Sequence, residues 1–177
     1  MVSLTRVLEL DDAAELAAVW RENRAFLASS GPRREDEFFT EEGQLEVIGE
    51  SLARCAAGHS LPLVVVEPSA AGRGAIVGAV TLSSIIRGAF QSASIGYWLA
   101  AGATGRGIMT QAVEEAAEWA FGELGLHRLQ AEVMPANTAS VRVLERTGFI
   151  QYGRAPDYLC IDGRWEEHLL FQRIASS

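Results

Sequence analysis

The chain has 177 residues, of which 49% are hydrophobic and 21% are charged, a balance typical of folded globular proteins. Its formal net charge of -8 disfavours binding driven by the phosphates of a nucleic acid, so no nucleic-acid partner is expected. The same charge suits a cationic partner such as a basic protein terminus or a polyamine, although charge alone does not select one.

In the first part of the chain, the periodicity of hydrophobic residues predicts strands that alternate with helices. Asp11 and Asp12 offer an N-cap for the first helix, and Gly58 ends the second. The predicted elements are a strand over 4–10, a helix over 13–27, a charged connector over 33–40, a helix over 40–57, a buried strand over 61–66 and a loop over 68–74.

The second part of the chain continues the mixture of strands and helices, and neither a repeat nor a low-complexity linker divides it. The predicted elements are paired strands over 75–86 and 90–100, a helix from 111 to about 122, a strand over 128–134, a helix over 137–146, a strand from 149 and a last strand over 165–174. We therefore predict an α/β (α+β) fold class, as one domain over residues 1–177 with a mixed, mostly antiparallel sheet.

Metal and membrane chemistry are not indicated by the sequence. Cys55 and Cys160 lie far apart in no metal-binding motif, and the three histidines lack the spacing of metal ligands, so no metal site is expected. The first residues carry charges at short intervals, and no apolar run reaches membrane-spanning length. We expect a soluble, cytoplasmic protein without a membrane partner.

The most informative stretch of the sequence is residues 103–110, at a predicted strand-to-helix junction. Gly105 and Gly107 allow a tight turn there, and the first N–H groups of the following helix have no partners within that helix. The helix dipole adds partial positive charge, so a phosphate or pyrophosphate is the expected occupant. A glycine motif of this length is weak evidence when it stands alone.

Four motifs in order resemble the GCN5-related N-acetyltransferase (GNAT) superfamily, in particular its RimJ/RimL-type branch of ribosomal-protein N-terminal acetyltransferases. The resemblance covers nearly the whole chain and is strongest over residues 95–99, 105–110, 137–140 with 148–149, and 157–165. It implies the GNAT fold, in which helices flank a sheet whose central strands splay apart. It also implies acetyl-CoA as co-substrate.

In the family, the glycine loop binds the CoA pyrophosphate through backbone amides, and the pantetheine arm lies in the gap of the splayed sheet. A backbone amide near Leu99 would then polarise the thioester carbonyl. Thr104 and Met109 depart from the usual pattern, but the expected contacts are mainly to the backbone. By resemblance, the cofactor-binding residues are Tyr97, Trp98, Leu99, Thr104, Gly105, Arg106, Gly107, Ile108, Met109, Thr110, Asn137 and Ser140.

Three residues are candidates for the catalytic steps. Ser140 is expected near the CoA sulfur, where its hydroxyl would protonate or hydrogen-bond the leaving thiolate; alternatively, it is only a first-turn residue of a helix that Asn137 caps. Many family members carry a tyrosine acid four residues later, where this chain has Leu144. Asp157 and Glu132 compete for the role of the base that takes a proton from the amine, with Asp157 slightly favoured.

The resemblance implies direct attack of a primary amine on acetyl-CoA, with a protein N-terminal α-amine of the ribosomal-protein-alanine type as the expected acceptor. Alternatives are acetylation of a small amine (a polyamine, amino sugar or antibiotic) and a non-catalytic acyl-CoA-binding regulatory module. A dinucleotide-binding domain is disfavoured by the antiparallel strands before the glycine loop. The sequence leaves monomer and homodimer open.

Overall fold

The computed structural model describes residues 3–28, 31–69, 72–161 and 163–175. Within them, seven strands form one sheet in the order β1-β2-β3-β4-β5-β7-β6. The strands are β1 Thr5–Val7, β2 Leu61–Ser69, β3 Gly72–Ile86, β4 Ser92–Leu99, β5 Arg128–Val133, β6 Ile150–Ile161 and β7 Arg164–Ile174. The α-helices are α1 Ala13–Glu22, α2 Arg24–Leu27, α3 Glu41–Ala56, α4 Ile108–Glu118 and α5 Thr138–Arg146.

Neighbouring strands are antiparallel throughout the described sheet except for β4 and β5, which run parallel. Only three residue pairs join these two strands: Ser92 with Arg128, Ala93 with Leu129 and Ser94 with Gln130. Beyond these pairs, residues 95–99 and 131–133 diverge, and a wedge-shaped gap opens in the middle of the sheet. This confirms the predicted mixed, mostly antiparallel sheet with splayed central strands.

Helices cover both faces of the sheet, as its hydrophobic patterning requires. On one face, α4 and α5 bury a large core against the central strands, with Ala112, Val113 and Leu144 at most 1% exposed. On the other face, α1 and α3 pack a smaller core around Leu16 and Ile48. Side chains therefore alternate between two different environments along β4 and β5.

At the amino-terminal end, two predicted elements differ from the structure. The strand predicted over 4–10 ends at Val7, because a tight turn at Leu10–Asp12 follows, in which the buried Asp12 carboxylate accepts a hydrogen bond from the Glu9 N–H at 2.9 Å. The helix predicted over 13–27 is interrupted at Asn23, whose side chain donates to the Val19 carbonyl at 2.9 Å. This local competition for backbone groups is typical of asparagine.

The loop predicted between the second and third strands was wrong in extent. The loop predicted over 68–74 is largely a hairpin, since β2 runs to Ser69 and β3 starts at Gly72, while residues 70–71 lie outside the described part. Gly74 permits this hairpin because its φ is +74° and a Cβ there would lie 2.4 Å from the Glu67 carbonyl oxygen. The strand predicted from 149 extends as β6 to Ile161.

One carboxylate on α4 attaches the amino-terminal strand to the rest of the fold. The Glu115 side chain accepts hydrogen bonds from the Leu4 N–H at 3.0 Å, the Thr5 N–H at 2.9 Å, the Thr5 hydroxyl at 2.6 Å and the Ser3 hydroxyl at 3.0 Å. Burial alone would raise the pKa of Glu115, but the hydrogen bonds from Thr5 and Leu4 outweigh it and lower that pKa. The charged form of Glu115 therefore stabilises the folded state.

We expect Glu115→Gln to lower the free energy of unfolding by about 1–2 kcal/mol at neutral pH, because charge-assisted hydrogen bonds are lost. A group whose pKa is lowered on folding stabilises the protein above its unfolded pKa, and this contribution disappears as the pH falls through the folded pKa. Urea unfolding should therefore show a difference in the free energy of unfolding between wild type and variant, and this difference should become smaller at acidic pH. The control is Glu118→Gln, at an exposed position on the same helix. A difference in the free energy of unfolding that does not depend on pH would contradict the stabilising role of the charged Glu115.

Candidate active site

The predicted phosphate loop connects β4 to α4 and has the backbone geometry that its glycines suggest. Gly105 and Gly107 have φ values of 74° and 77°, and Gly107 is the N-cap of α4. A Cβ at either glycine would meet nothing within 4 Å, so the backbone conformation, not crowding, favours glycine here. The space beside the loop is consequently open.

The first turn of α4 presents unpaired backbone donors to this open space. The N–H of Gln111 is bonded to the Gly107 carbonyl at 3.1 Å, which leaves the N–H groups of Ile108, Met109 and Thr110 without helical partners. No acidic side chain lies in this turn. The Met109 side chain is buried in the core, so only its backbone is available to a ligand.

The loop is held in place by three polar contacts. The Asn23 Oδ1 accepts a hydrogen bond from the Ala101 N–H at 2.8 Å, and the Thr104 hydroxyl donates to the Ala101 carbonyl at 2.8 Å. Arg106 forms an ion pair with Glu67 at 2.5 Å. A cavity of about 470 Å³ lies beside these contacts, lined by Glu22, Asn23, Glu67, Val77, Ala100, Gly102, Ala103 and Arg106.

Tyr97, Asn137 and Ser140 meet on the face of the sheet that carries α4 and α5. The Tyr97 hydroxyl donates to the Ser140 carbonyl at 3.1 Å, and the Ser140 N–H donates to the Asn137 Oδ1 at 3.1 Å. Burial raises the pKa of Tyr97, so its phenol stays neutral. Within the described residues, the Ser140 hydroxyl has no hydrogen-bond partner. Leu99 packs against the same core.

Trp98 points to the opposite face, where it joins an aromatic cluster. Its ring centroid lies 4.4 Å from that of Trp20 on α1, and Trp20 meets the edge of Phe38 at 5.0 Å. Phe38 in turn contacts the buried Phe39. The charged connector predicted over 33–40 therefore contributes two aromatic side chains to this face, beside the splayed strands.

Glu132 lies on β5 and faces the same side of the sheet as this cluster, since its neighbours Ala131 and Val133 are buried in the α4 core. Burial raises the pKa of Glu132, and the positive charge of His168 offsets part of this effect. His168 is itself buried, and its ring centroid lies 5.6 Å from that of Tyr158. Glu132, His168 and Tyr158 therefore form one group of ionisable side chains.

Asp157 occupies a different environment. It lies in an irregular part of β6, between the pairs formed by Ala155 and Leu159 with β7, and its φ is 49°. Its side chain is exposed and makes no hydrogen bond or ion pair with the residues that the structure describes. The two candidate bases are thus a half-buried carboxylate beside the gap and an exposed one at the edge strand.

Sequence reasoning missed the contributions of His168 and Tyr158. The alternation of the last predicted strand places His168 and Leu170 on one face, but only the strand register makes Leu170 the partner of Glu132. The described residues contain no group of three or more histidine, cysteine or acidic side chains that could hold a metal ion. None of their helices is long and apolar enough to cross a membrane.

A sheet that opens between two parallel strands, with an open glycine loop at the start of the helix between them, is the architecture of an acyltransferase. Residues 3–150 match the family model described as the acetyltransferase (GNAT) domain. The chain belongs to the GNAT family and is an N-acetyltransferase, which replaces the dinucleotide-binding alternative. GNAT acetyltransferases use acetyl-CoA.

Curated relatives agree with this family. The chain is 41% identical to the probable N-acetyltransferase YjcK of Bacillus subtilis, over 92% of this chain and 88% of that protein. It is 30% identical to the ribosomal protein uS5-alanine N-acetyltransferase of Escherichia coli, over 94% of this chain and 84% of that protein.

Solved structures confirm both the fold and the RimJ/RimL-type resemblance. The ribosomal-protein-S5-alanine acetyltransferase of Vibrio fischeri has a TM-score of 0.91 and 33% identity, covering 98% of this chain and 94% of that one. Mycobacterium smegmatis RimJ, in complex with CoA-disulfide, has a TM-score of 0.89 and 31% identity, covering 97% of this chain and 81% of that one.

The open phosphate loop can be tested with a matched pair of variants at Gly107. Asparagine and aspartate are similar in size, tolerate a positive φ and can both cap a helix, but only aspartate adds negative charge. We expect Gly107→Asp to bind CoA roughly tenfold more weakly than Gly107→Asn, because a like-charge contact there costs about 1 kcal/mol or more. Calorimetric titration with CoA measures the difference. Equal affinities would place the phosphates elsewhere.

Proposed function

We propose that the protein transfers the acetyl group of acetyl-CoA to a protein N-terminal α-amine, of the ribosomal-protein-alanine type, and that residues 1–177 form one N-acetyltransferase domain. The observation that carries the proposal is the gap that opens beyond Ser94, with the phosphate loop at one end and aromatic side chains beside it. Relatives named for the alanine of ribosomal protein S5 support the acceptor class.

Acetyl-CoA fits the gap as an additional strand would. The edge of β4 over residues 95–99 pairs with no described strand on the side of β5, so its backbone groups can bind the amides of the pantetheine arm. The N–H groups of residues 105–110 would hold the pyrophosphate at the start of α4. A backbone amide near Leu99 would then stabilise the oxyanion that develops on the thioester carbonyl.

The attacking amine and the leaving thiolate would contact residues on opposite faces of the sheet. The amine enters on the face of Glu132 and Trp98, and its nitrogen attacks the thioester carbon after a proton has passed to Glu132. The carbon–sulfur bond of the tetrahedral intermediate then breaks, and the CoA thiolate takes a proton from the Ser140 hydroxyl. The attacking nitrogen loses its second proton as the amide forms, and this proton restores the Ser140 hydroxyl. Ser140 suits this role because its hydroxyl lacks a described partner while its backbone is fixed at both polar groups.

Glu132 is the better-supported base. A general base works best when its pKa lies near the operating pH, and burial moves the pKa of Glu132 upward from its ordinary value. Asp157 is exposed on the edge strand. This reverses the slight preference for Asp157 that the family resemblance gives.

The acceptor class can be tested by comparing amines in one assay. A peptide that begins with alanine should release CoA thiol and gain one acetyl group by mass spectrometry. The same peptide with a blocked α-amine and an internal lysine, spermidine and an aminoglycoside should each react at least about tenfold more slowly. A faster reaction with spermidine or the aminoglycoside would favour the small-molecule alternative. Saturable CoA binding without thiol release for any amine would favour the regulatory module.

The base can be tested with Glu132→Gln and Asp157→Asn, which remove one ionisable group each with little change of size. We expect Glu132→Gln to lower kcat/KM by about 10²-fold and to abolish the acidic limb of its pH profile, because proton transfer by a positioned side chain contributes about that much. Asp157→Asn should keep the wild-type profile. The opposite pattern would return the role to Asp157.

A further inference from the structure

His168 lies close to Glu132 because of the register between β5 and β7. Glu132 is paired with Leu170, and His168 precedes Leu170 by two residues, on the same face of the sheet. Diagonal neighbours of this kind in an antiparallel pair are separated by roughly 7–8 Å, which long and aromatic side chains can span. His168 is only 4% exposed, so water screens its charge poorly.

The backbone determines which nitrogen of this ring carries a proton. The Nδ1 of His168 lies 2.9 Å from the carbonyl oxygen of Glu166. A carbonyl oxygen only accepts hydrogen bonds, so Nδ1 carries the proton of the neutral ring, and Nε2 is the remaining site for a second proton. The ring is therefore anchored by one nitrogen and can take up a proton at the other.

Other ionisable groups lie on the strands that flank Glu132 and His168. On this face, β4 contributes only Ser94, Gly96 and Trp98, none of which titrates. Of the remaining neighbours, Arg128 lies over the Tyr152 ring at 5.1 Å. The titratable and charged groups of β5, β6 and β7 around the pair are Arg128, Tyr152, Asp157, Tyr158 and Glu166.

We propose that His168 is a positioning residue, whose charge favours the ionised form of Glu132 and so sets the pH at which Glu132 accepts the proton of the acceptor amine. The inference rests on the proposed function. In the step, the ammonium N–H bond breaks, its electron pair remains on nitrogen for the attack, and the proton joins a Glu132 oxygen. The positive charge of His168 favours the ionised Glu132 that this step needs.

The physical reason is that burial and the neighbouring cation act on Glu132 in opposite directions. Burial raises the pKa of Glu132, whereas the cationic ring of His168 lowers it. Without the imidazole, burial is opposed only by a backbone hydrogen bond, and the carboxylate would be protonated at higher pH. Two groups that interact in this way titrate as a pair.

The test is His168→Gln, with exposed His59→Gln as the matched control. We expect the acidic limb of the kcat/KM profile to move to higher pH in His168→Gln, with the rate at the alkaline plateau changed by no more than about twofold. His59→Gln should leave the limb in place. A lower rate at every pH with an unmoved limb would mean that His168 is merely structural, and would overturn the proposal.

Carboxyl NMR titration provides a readout that needs no acceptor and no turnover. The Glu132 signal is identified by its loss in Glu132→Gln, and its midpoint should move upward in His168→Gln. If no amine is acetylated but the midpoint moves, the effect of His168 on Glu132 is supported and the proposed function is wrong. If peptides are acetylated but neither the acidic limb nor the midpoint moves, the proposed effect of His168 on Glu132 is wrong. Should His168→Gln not fold, the wild-type Glu132 signal decides: two inflections in its titration support electrostatic coupling to His168, and one inflection contradicts it.

Discussion

The site depends on the short parallel contact between β4 and β5. Three residue pairs hold the two strands together, and beyond these pairs the edges of β4 and β5 that face each other lack a described strand partner, although β4 stays paired with β3 and β5 with β7. Unpaired backbone groups inside a sheet are unfavourable unless something else binds them. The fold thus keeps unused hydrogen-bonding groups at the centre of the sheet, where we propose that the pantetheine arm binds. The cores on both faces are what allow the sheet to remain open at its centre.

The two faces of the sheet carry different groups because the side chains of a strand alternate between them. Tyr97 and Trp98 are adjacent in sequence, yet one contacts Ser140 on α5 and the other contacts Trp20 on α1. Because successive side chains of a strand point to opposite faces, leaving-group and acceptor chemistry can be placed on one short segment without interfering. Glu132 continues the acceptor side on the far edge of the gap.

The geometry of the glycine loop and of the Asn137 cap could be predicted from the sequence because both are built from local features. Glycines with positive φ, a helix N-terminus and the Asn137 cap are properties of neighbouring residues. The surroundings of Glu132 could not be predicted, because His168 reaches it only through the register of β7, and Tyr158 through an irregular stretch of β6. The interruption of the first helix was also missed, since the apolar periodicity continues through Asn23.

The hydrogen bond between Asn23 and Ala101 has a consequence for how the two substrates influence each other. Asn23 ends α1, whose Trp20 packs on Trp98 at the acceptor side, while Ala101 begins the turn that leads into the phosphate loop. We expect a displacement of either segment to reach the other through this contact. Occupancy of the proposed donor site and affinity for the proposed acceptor would then be linked, and by thermodynamic reciprocity each substrate would change the binding of the other by the same factor.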